Sequence, residues 1–264
     1  MKNKPSQIWN SHLVQQDIEQ NILFCAGRDV QTLPMSDELL LPFDIWTNRA
    51  HCIMLQKQDL ISKDILRCIL IGLSNLEKLI KSGEFSLDPA KEDVHINVES
   101  FVTENQGSEV GGRMHIGSSR NDQSACDMRL FLRSVSINLF KSVKQLANSL
   151  LIQAKKHTET VMPGFTHYQP AMITTWGHWL CSYVQGLCRD LERISFAISQ
   201  INRNPLGSAA AFGTTWSIDR NLTTQLMAFE RVDSNTLDCI VSRWENEAHL
   251  ANVGAMLMVH LSII

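Results

Sequence analysis

Apolar positions recur at helical spacing along most of this chain. Residues 37–59 read as one helix, interrupted or kinked near Pro42, whose ring cannot sit inside a regular α-helix. From 62 to about 81, Ile65, Ile69, Leu73, Leu76 and Ile80 form an amphipathic stripe that Gly83 would end. Residues 100–111, with Gly107, Gly111 and Gly112, read as a loop. Met128, Phe131, Leu132, Val135, Leu139, Val143, Leu146 and Leu150 then hold a spacing of three or four. They predict a single helix over about 123–156, which at 1.5 Å per residue is roughly 50 Å long. Leu180, Val184, Leu187, Leu191, Ile194, Ile198 and Ile201 mark a second long helix starting near Thr174 or Thr175. Residues 204–210 break it. A last helix is expected from about Asn235 to the end, apolar on nearly every side in its final part and therefore central in a bundle. These stripes predict a helix-dominated protein with almost no sheet, in which long helices need long partners.

Residues 1–35 are weakly patterned, with Pro5, Gly27 and Pro34 as breaks. The chain has 264 residues, a formal net charge of -3 and 44% hydrophobic residues. That balance suits a folded globular protein and argues against a nucleic-acid or anionic-membrane surface. The run 250–264 is too short and too interrupted, by Asn252 and His260, to span a membrane. The first dozen residues lack the apolar core of a signal peptide. The seven cysteines form no Cys-x-x-Cys pair and read as reduced packing residues of a cytosolic protein. The nine histidines show no His-Glu-x-x-His spacing, and no Gly-Lys-Ser/Thr phosphate loop is present. Neither a metal nor another cofactor is expected.

Two stretches carry chemistry. The first is GGRMHIGSSRNDQSACDMRLFLR, residues 111–133. Asn121 or Asp122 would N-cap the helix that follows. Ser119, Arg120 and Asn121 then sit where a helix start offers N–H groups and a positive dipole end to an anion. A plain cap is the alternative. The second stretch is MPGFTHYQPA, residues 162–171. Its Pro and Gly mark a turn that presents His167, a side chain able to move a proton near neutral pH, or else a surface histidine. Asp93, in PAKEDVHINVE, is either a helix cap or a site residue.

The first stretch resembles the first signature of the argininosuccinate lyases, in the fumarase/aspartase superfamily. Gly111, Gly112, His115, Gly117 and residues 119–123 match its Gly-Gly-x-x-His-x-Gly-x-Ser-Arg-Asn-Asp-Gln string. Glu92, Asp93, His95 and Glu99 match its Glu-Asp-x-His-x-x-x-Glu marker. Residues 162–169 resemble its Met-Pro-Gly-x-Thr-His-x-Gln region, residues 205–209 its Pro-Leu-Gly-Ser loop, and Asp219-Arg220 a further pair. Asp44, Arg49 and His51 stand where the family has Asp, Lys and His or Tyr. Ala26-Gly27-Arg28 only faintly matches the family's Gly-Gly-Arg-Phe element. Ser118 replaces a family Arg, Ile116 a Thr, and Arg243-Trp244-Glu245 departs from Arg-Asp.

The resemblance implies an all-α fold, with a smaller helical domain over 1–112 and a long-helix bundle over 113–264. It implies a cytoplasmic homotetramer with active sites shared between subunits. The reaction would be elimination of fumarate from argininosuccinate, leaving arginine, on a small dicarboxylate substrate. The roles carried over are catalysis for His167 and substrate contact for Ser119, Arg120, Asn121, Thr166, Asp93 and Arg49. Arg189, Asp190, Glu192 and Arg193 match Arg-Asp-x-Glu-Arg and read as helix-face ion pairs. The superfamily's third signature, Gly-Ser-Ser-x-Met-Pro-x-Lys-x-Asn-Pro, carries the general base. It is absent from this sequence and is expected beyond Ile264, so the chain reads as the first three-fifths of such a lyase and inactive alone. Two alternatives remain: another superfamily lyase acting on adenylosuccinate or malate, or a non-enzymatic, crystallin-like paralogue.

Overall fold

The computed structural model describes residues 34–264. The Ala26-Gly27-Arg28 element lies outside them. The fold is helical, as the apolar stripes require. A 3-10 turn, Ser36–Leu40, leads into α1, Leu41–Lys57. Pro42 does not break this helix but starts it, in the first turn, where a missing N–H costs nothing. Helix α2, Lys63–Ser82, is capped by the Ser62 hydroxyl, which accepts from Ile65 N–H. It ends at Gly83, at φ 75°, with Glu84 N–H reaching back to Leu79 C=O. Helix α3, Val94–Gln106, and a short α4, Ser108–Gly111, occupy the stretch expected as a loop. Gly107, at φ 96°, confines the break to one residue.

Helix α5, Arg120–Lys156, has 37 residues. It supplies residues up to Phe131 to one compact unit and the remainder to a second. The first unit also takes in residues 203–241, and the second the stretch up to Asn202 and from Ser242 onward. The boundary expected at 112–113 falls inside the first unit. Packing, not chain order, defines these units, because residues 203–241 return to the elements around α1.

In the first unit, Leu41, Ile45, Leu55, Ile69, Leu73, Val94, Val98, Val102 and Met114 form the apolar core. Ala50, Cys126, Leu130, Leu206 and Met227 form a second cluster. Gly72 lets α3 approach closely, since a Cβ there would meet Val102 at 3.3 Å. Gly111 is obligatory for a similar reason: a Cβ would overlap the Thr103 side chain. Two-residue strands β3, Arg203–Asn204, and β4, Arg231–Val232, pair in parallel beside α7, Arg220–Leu226.

In the second unit, α5 is followed by a hairpin of β1, Val161–Thr166, and β2, Gln169–Thr175. Here the expected turn is wider than a loop: both flanks are strands. Helix α6, Trp176–Ile201, is capped by the Thr175 hydroxyl. The predicted last helix is two helices, α8, Thr236–Val241, in the first unit, and α9, Glu245–Leu261, in the second. The Ser242-Arg243-Trp244 departure falls at the break between them. Among the described residues, Val253 and Leu257 of α9 are buried, Leu250 and Leu261 pack partly buried beside them, and Met258 and Val259 are exposed.

Asp190 is not on a solvated face. It is fully buried, with Oδ1 on Arg193 at 2.9 Å and Oδ2 on His260 Nδ1 at 2.7 Å, so it staples α6 to α9. His260→Ala leaves Oδ2 buried without its donor. A loss of about 1–3 kcal/mol is expected, read as a lower urea midpoint at unchanged slope. An unchanged midpoint would mean that the staple is redundant with Arg193.

Candidate active site

A polar stripe on α1 governs the first unit. Asp44, Thr47, Asn48 and His51 lie at helical spacing, yet all four are buried. From α5, Gln123 and Asp127, one turn apart, face them, and His95 enters from α3. Asp44 is the hub. Its Oδ1 accepts from His95 Nδ1 at 2.7 Å and from Gln123 Nε2 at 2.7 Å, and its Oδ2 accepts from Asn48 Nδ2 at 2.9 Å. Asp127 Oδ1 accepts from the Thr47 hydroxyl, and Oδ2 lies 3.6 Å from His95 Nδ1.

The charges follow from this geometry. Burial disfavours the His95 imidazolium, but the Asp44 hydrogen bond and the nearby carboxylates of Asp44, Asp127 and Asp93 outweigh it and raise its pKa to about 9. Burial, then the neighbouring Asp44 charge, pushes the Asp127 carboxyl well up and favours its protonated form. Asp44, His95 and Asp127 bring three ligand-type atoms within 4.8 Å of one another. Three donors, from His95, Gln123 and Asn48, lie on the Asp44 oxygens.

His51 is the opposite case. Burial lowers its pKa to about 4, and the accepting Ile116 carbonyl only partly offsets this. Its Nε2 donates to Ile116 C=O at 2.9 Å, and buried Nδ1 has no partner. It is therefore neutral, and it pins the chain just before Gly117. Gly117, at φ 72°, has Trp216 and Ile218 where a Cβ would be.

The helix start itself is a reciprocal cap. Ser119, not Asn121 or Asp122, is the capping residue: its hydroxyl accepts from Asn121 N–H at 3.3 Å, and Asp122 Oδ1 accepts from Ser119 N–H at 2.8 Å. These N–H groups are thus engaged within the protein. Among the described residues, the Ser119 hydroxyl and the Arg120 guanidinium carry donors at the helix start, and so does the Asn121 amide, which also donates to Ala210 C=O at 3.4 Å. Arg120 Nη1 pairs with Glu92 at 3.1 Å and Asp93 at 3.2 Å. Asp93 is also the cap of α3, accepting from Ile96 N–H, so the cap reading of that residue holds. Arg49 is held elsewhere on the unit: its Nη2 bonds Glu77 at 2.7 Å and Ser74 at 3.2 Å, both on α2. His115 pairs with Glu99 at 2.9 Å.

In the second unit, Thr166 ends β1, and His167 with Tyr168 closes the hairpin. Both turn residues have positive φ, 49° and 62°, as in the primed turns that join twisted strands. His167 is exposed at this tip. Asp127 was not singled out from the sequence, and Gln123 only as the last residue of the matched string. Their signal was a polar pair one turn apart on the predicted long helix, matched by the polar stripe of α1.

The buried histidines predict a stability maximum near pH 6.5. His95, raised from 6.5 to about 9, contributes fully below pH 6.5 and loses that contribution as pH rises through 9. His51, lowered to about 4, contributes above pH 6.5 and loses it as pH falls through 4. Urea midpoints from pH 4 to 9.5 should fall on both sides, and His95→Gln should flatten the alkaline limb. A wild-type limb that stays flat from pH 7 to 9 would contradict the His95 assignment.

A family profile described as "Lyase" matches residues 32–264. Argininosuccinate lyases of Psychrobacter arcticus and Streptococcus agalactiae are each 40% identical over 226 residues, 86% of this chain. That of Geobacillus thermodenitrificans is 41% identical over the same share. The chain covers 49%, 48% and 49% of these proteins, so it spans about half the length of the curated relatives it matches. Among solved structures, an EDDS lyase in complex with formate superposes at TM-score 0.79 with 29% identity, over 95% of this chain and 48% of that one. A class II fumarase from Schistosoma mansoni shares the fold at TM-score 0.74 and 16% identity, over 94% of this chain and 61% of that one. An all-α chain matched by the profile from residue 32 to its last residue belongs to the lyase family.

Proposed function

We propose that this chain is the substrate-holding portion of a cytoplasmic, homotetrameric argininosuccinate lyase, which eliminates fumarate from argininosuccinate and leaves arginine. The observation that carries this reading is the 40% identity to argininosuccinate lyases. The intact Ser-Arg-Asn-Asp-Gln run at a capped helix start fits it. In this reading a base removes the proton on the carbon beside a succinyl carboxylate, the carbon–nitrogen bond breaks, and the leaving guanidine nitrogen takes up a proton. Ser119, Arg120 and Asn121 bind a substrate carboxylate. Asp93 holds Arg120 in place. Thr166 positions the leaving end, and His167 supplies or relays its proton. Arg49 contributes charge at the periphery. The resemblance assigns the base to the third signature, a string this sequence does not contain.

The test is to mix the chain with a separately made C-terminal half of the Geobacillus thermodenitrificans argininosuccinate lyase and follow fumarate by absorbance. Release from argininosuccinate, and not from adenylosuccinate or malate, is expected. The chain alone should release at least about 10²-fold less, as for a missing general base. In the mixture, His167→Asn should lower turnover about 10²–10⁴-fold. Release from adenylosuccinate or malate instead would favour the second superfamily reading, in which Ser118 and Ile116 have changed the substrate. Near-normal turnover of His167→Asn would return that histidine to the surface.

A further inference from the structure

A buried contact between the signature helix and residues 203–241 runs through one side chain that the proposed chemistry does not use. Asp122 is fully buried at the third position of α5. Its Oδ1 accepts from Ser119 N–H at 2.8 Å, and its Oδ2 accepts from Gly207 N–H and Ala209 N–H, each at 2.8 Å. One carboxyl group thus fastens three backbone donors from two segments far apart in sequence.

The same loop is gripped from the other side by Arg220. Its Nε donates to Leu206 C=O at 2.9 Å, and its Nη2 to Asp233 C=O at 2.9 Å, with longer contacts to Asn204 C=O, Pro205 C=O and the Ser208 hydroxyl. Asp122 therefore takes the loop's N–H groups while Arg220 takes its carbonyls. Gly207, at φ 92°, lies so close to Arg220 and Ile218 that a Cβ would meet both at 2.8 Å. Ala209 is also at positive φ, 52°. A backbone bent this way needs outside support. The loop then returns to the helix start, where Asn121 Nδ2 donates to Ala210 C=O at 3.4 Å.

We infer that Asp122 is a positioning residue, which sets the orientation of the Ser119 and Asn121 donors by locking the helix start to the loop 204–210. Without it, Ser119 N–H loses its acceptor, the loop loses two anchors, and the Asn121 amide loses the fixed carbonyl that aims it. The inference rests on the reading of Ser119 and Asn121 as carboxylate donors. It adds that their geometry is imposed from the 204–210 loop, through a residue that touches no substrate.

The test uses the 264-residue chain, with fumarate as the probe, followed by amide NMR shifts at Ser119 and Asn121. Asp122→Ala should raise the fumarate concentration needed for half the shift about tenfold or more, the order expected for a lost hydrogen bond to a charged group. Hydrogen exchange at Gly207 and Ala209 should accelerate, while α2 amides keep their protection. Asp122→Asn is nearly isosteric, should fold, and keeps one acceptor oxygen, so its losses should be smaller and of the same kind. Normal fumarate binding in either folded variant, with exchange at Gly207 and Ala209 accelerated, would overturn the positioning role while leaving the carboxylate site intact. Unchanged exchange at those two amides would overturn the clamp itself. If the unsubstituted chain gives no fumarate shift at all, the carboxylate-site reading fails and this inference falls with it.

Discussion

The hydrogen bond between His95 and Asp44 is the contact on which the first unit depends. It joins α3 to α1, and through Gln123 and Asp127 it draws the start of α5 onto the same point. A buried carboxylate without partners would cost several kcal/mol. Here Asp44 takes three donors, so the charge that would otherwise oppose folding fixes the register of three helices. The result is a buried polar cluster in the first unit, which the signature residue Gln123 enters directly.

Charge assignment in this core is asymmetric, and that asymmetry shapes the site. His95 keeps a proton because carboxylates surround it. His51, one helix turn from Asn48 on the same stripe, gives its proton up because it is buried, and the accepting Ile116 carbonyl only partly offsets this. The first neutralises the buried acids. The second holds the backbone before Gly117 and so sets where residues 117–121 emerge. The helix start is then fixed from three directions, by His51, by the Glu92 and Asp93 carboxylates on Arg120, and by Asp122 with the 204–210 loop. Such redundancy suits a site in which displacement of a donor by 1 Å can cost about 10²-fold in rate.

The helices were legible in the sequence because their apolar stripes have the helical period and their stops are chemical: Ser62 and Gly83 bound α2 as capping rules require. What was not legible depends on contacts distant in sequence. Residues 100–112 carry three glycines, yet Gly111 serves close packing and Gly107 helix termination rather than a loop. Residues 203–241 join the first unit through Asp122, Arg129 and Arg220, which no local pattern reveals. The polar stripe of α1 has the period of a solvated face, and period alone does not say whether the polar side meets water or another polar side. For the candidate site, the family-like strings marked a helix start and a histidine turn, and both are formed in the structure. The true cap, Ser119, and the proton-holding cluster required coordinates.

The central claim is the protonation state of the two buried histidines, and side-chain nitrogen NMR on the folded chain at pH 8 reads it directly. The account predicts that His95 carries protons on both ring nitrogens at that pH, while His51 carries one, on Nε2. A neutral His95 at pH 8, or a His51 that takes up its second proton near pH 6.5, would contradict it.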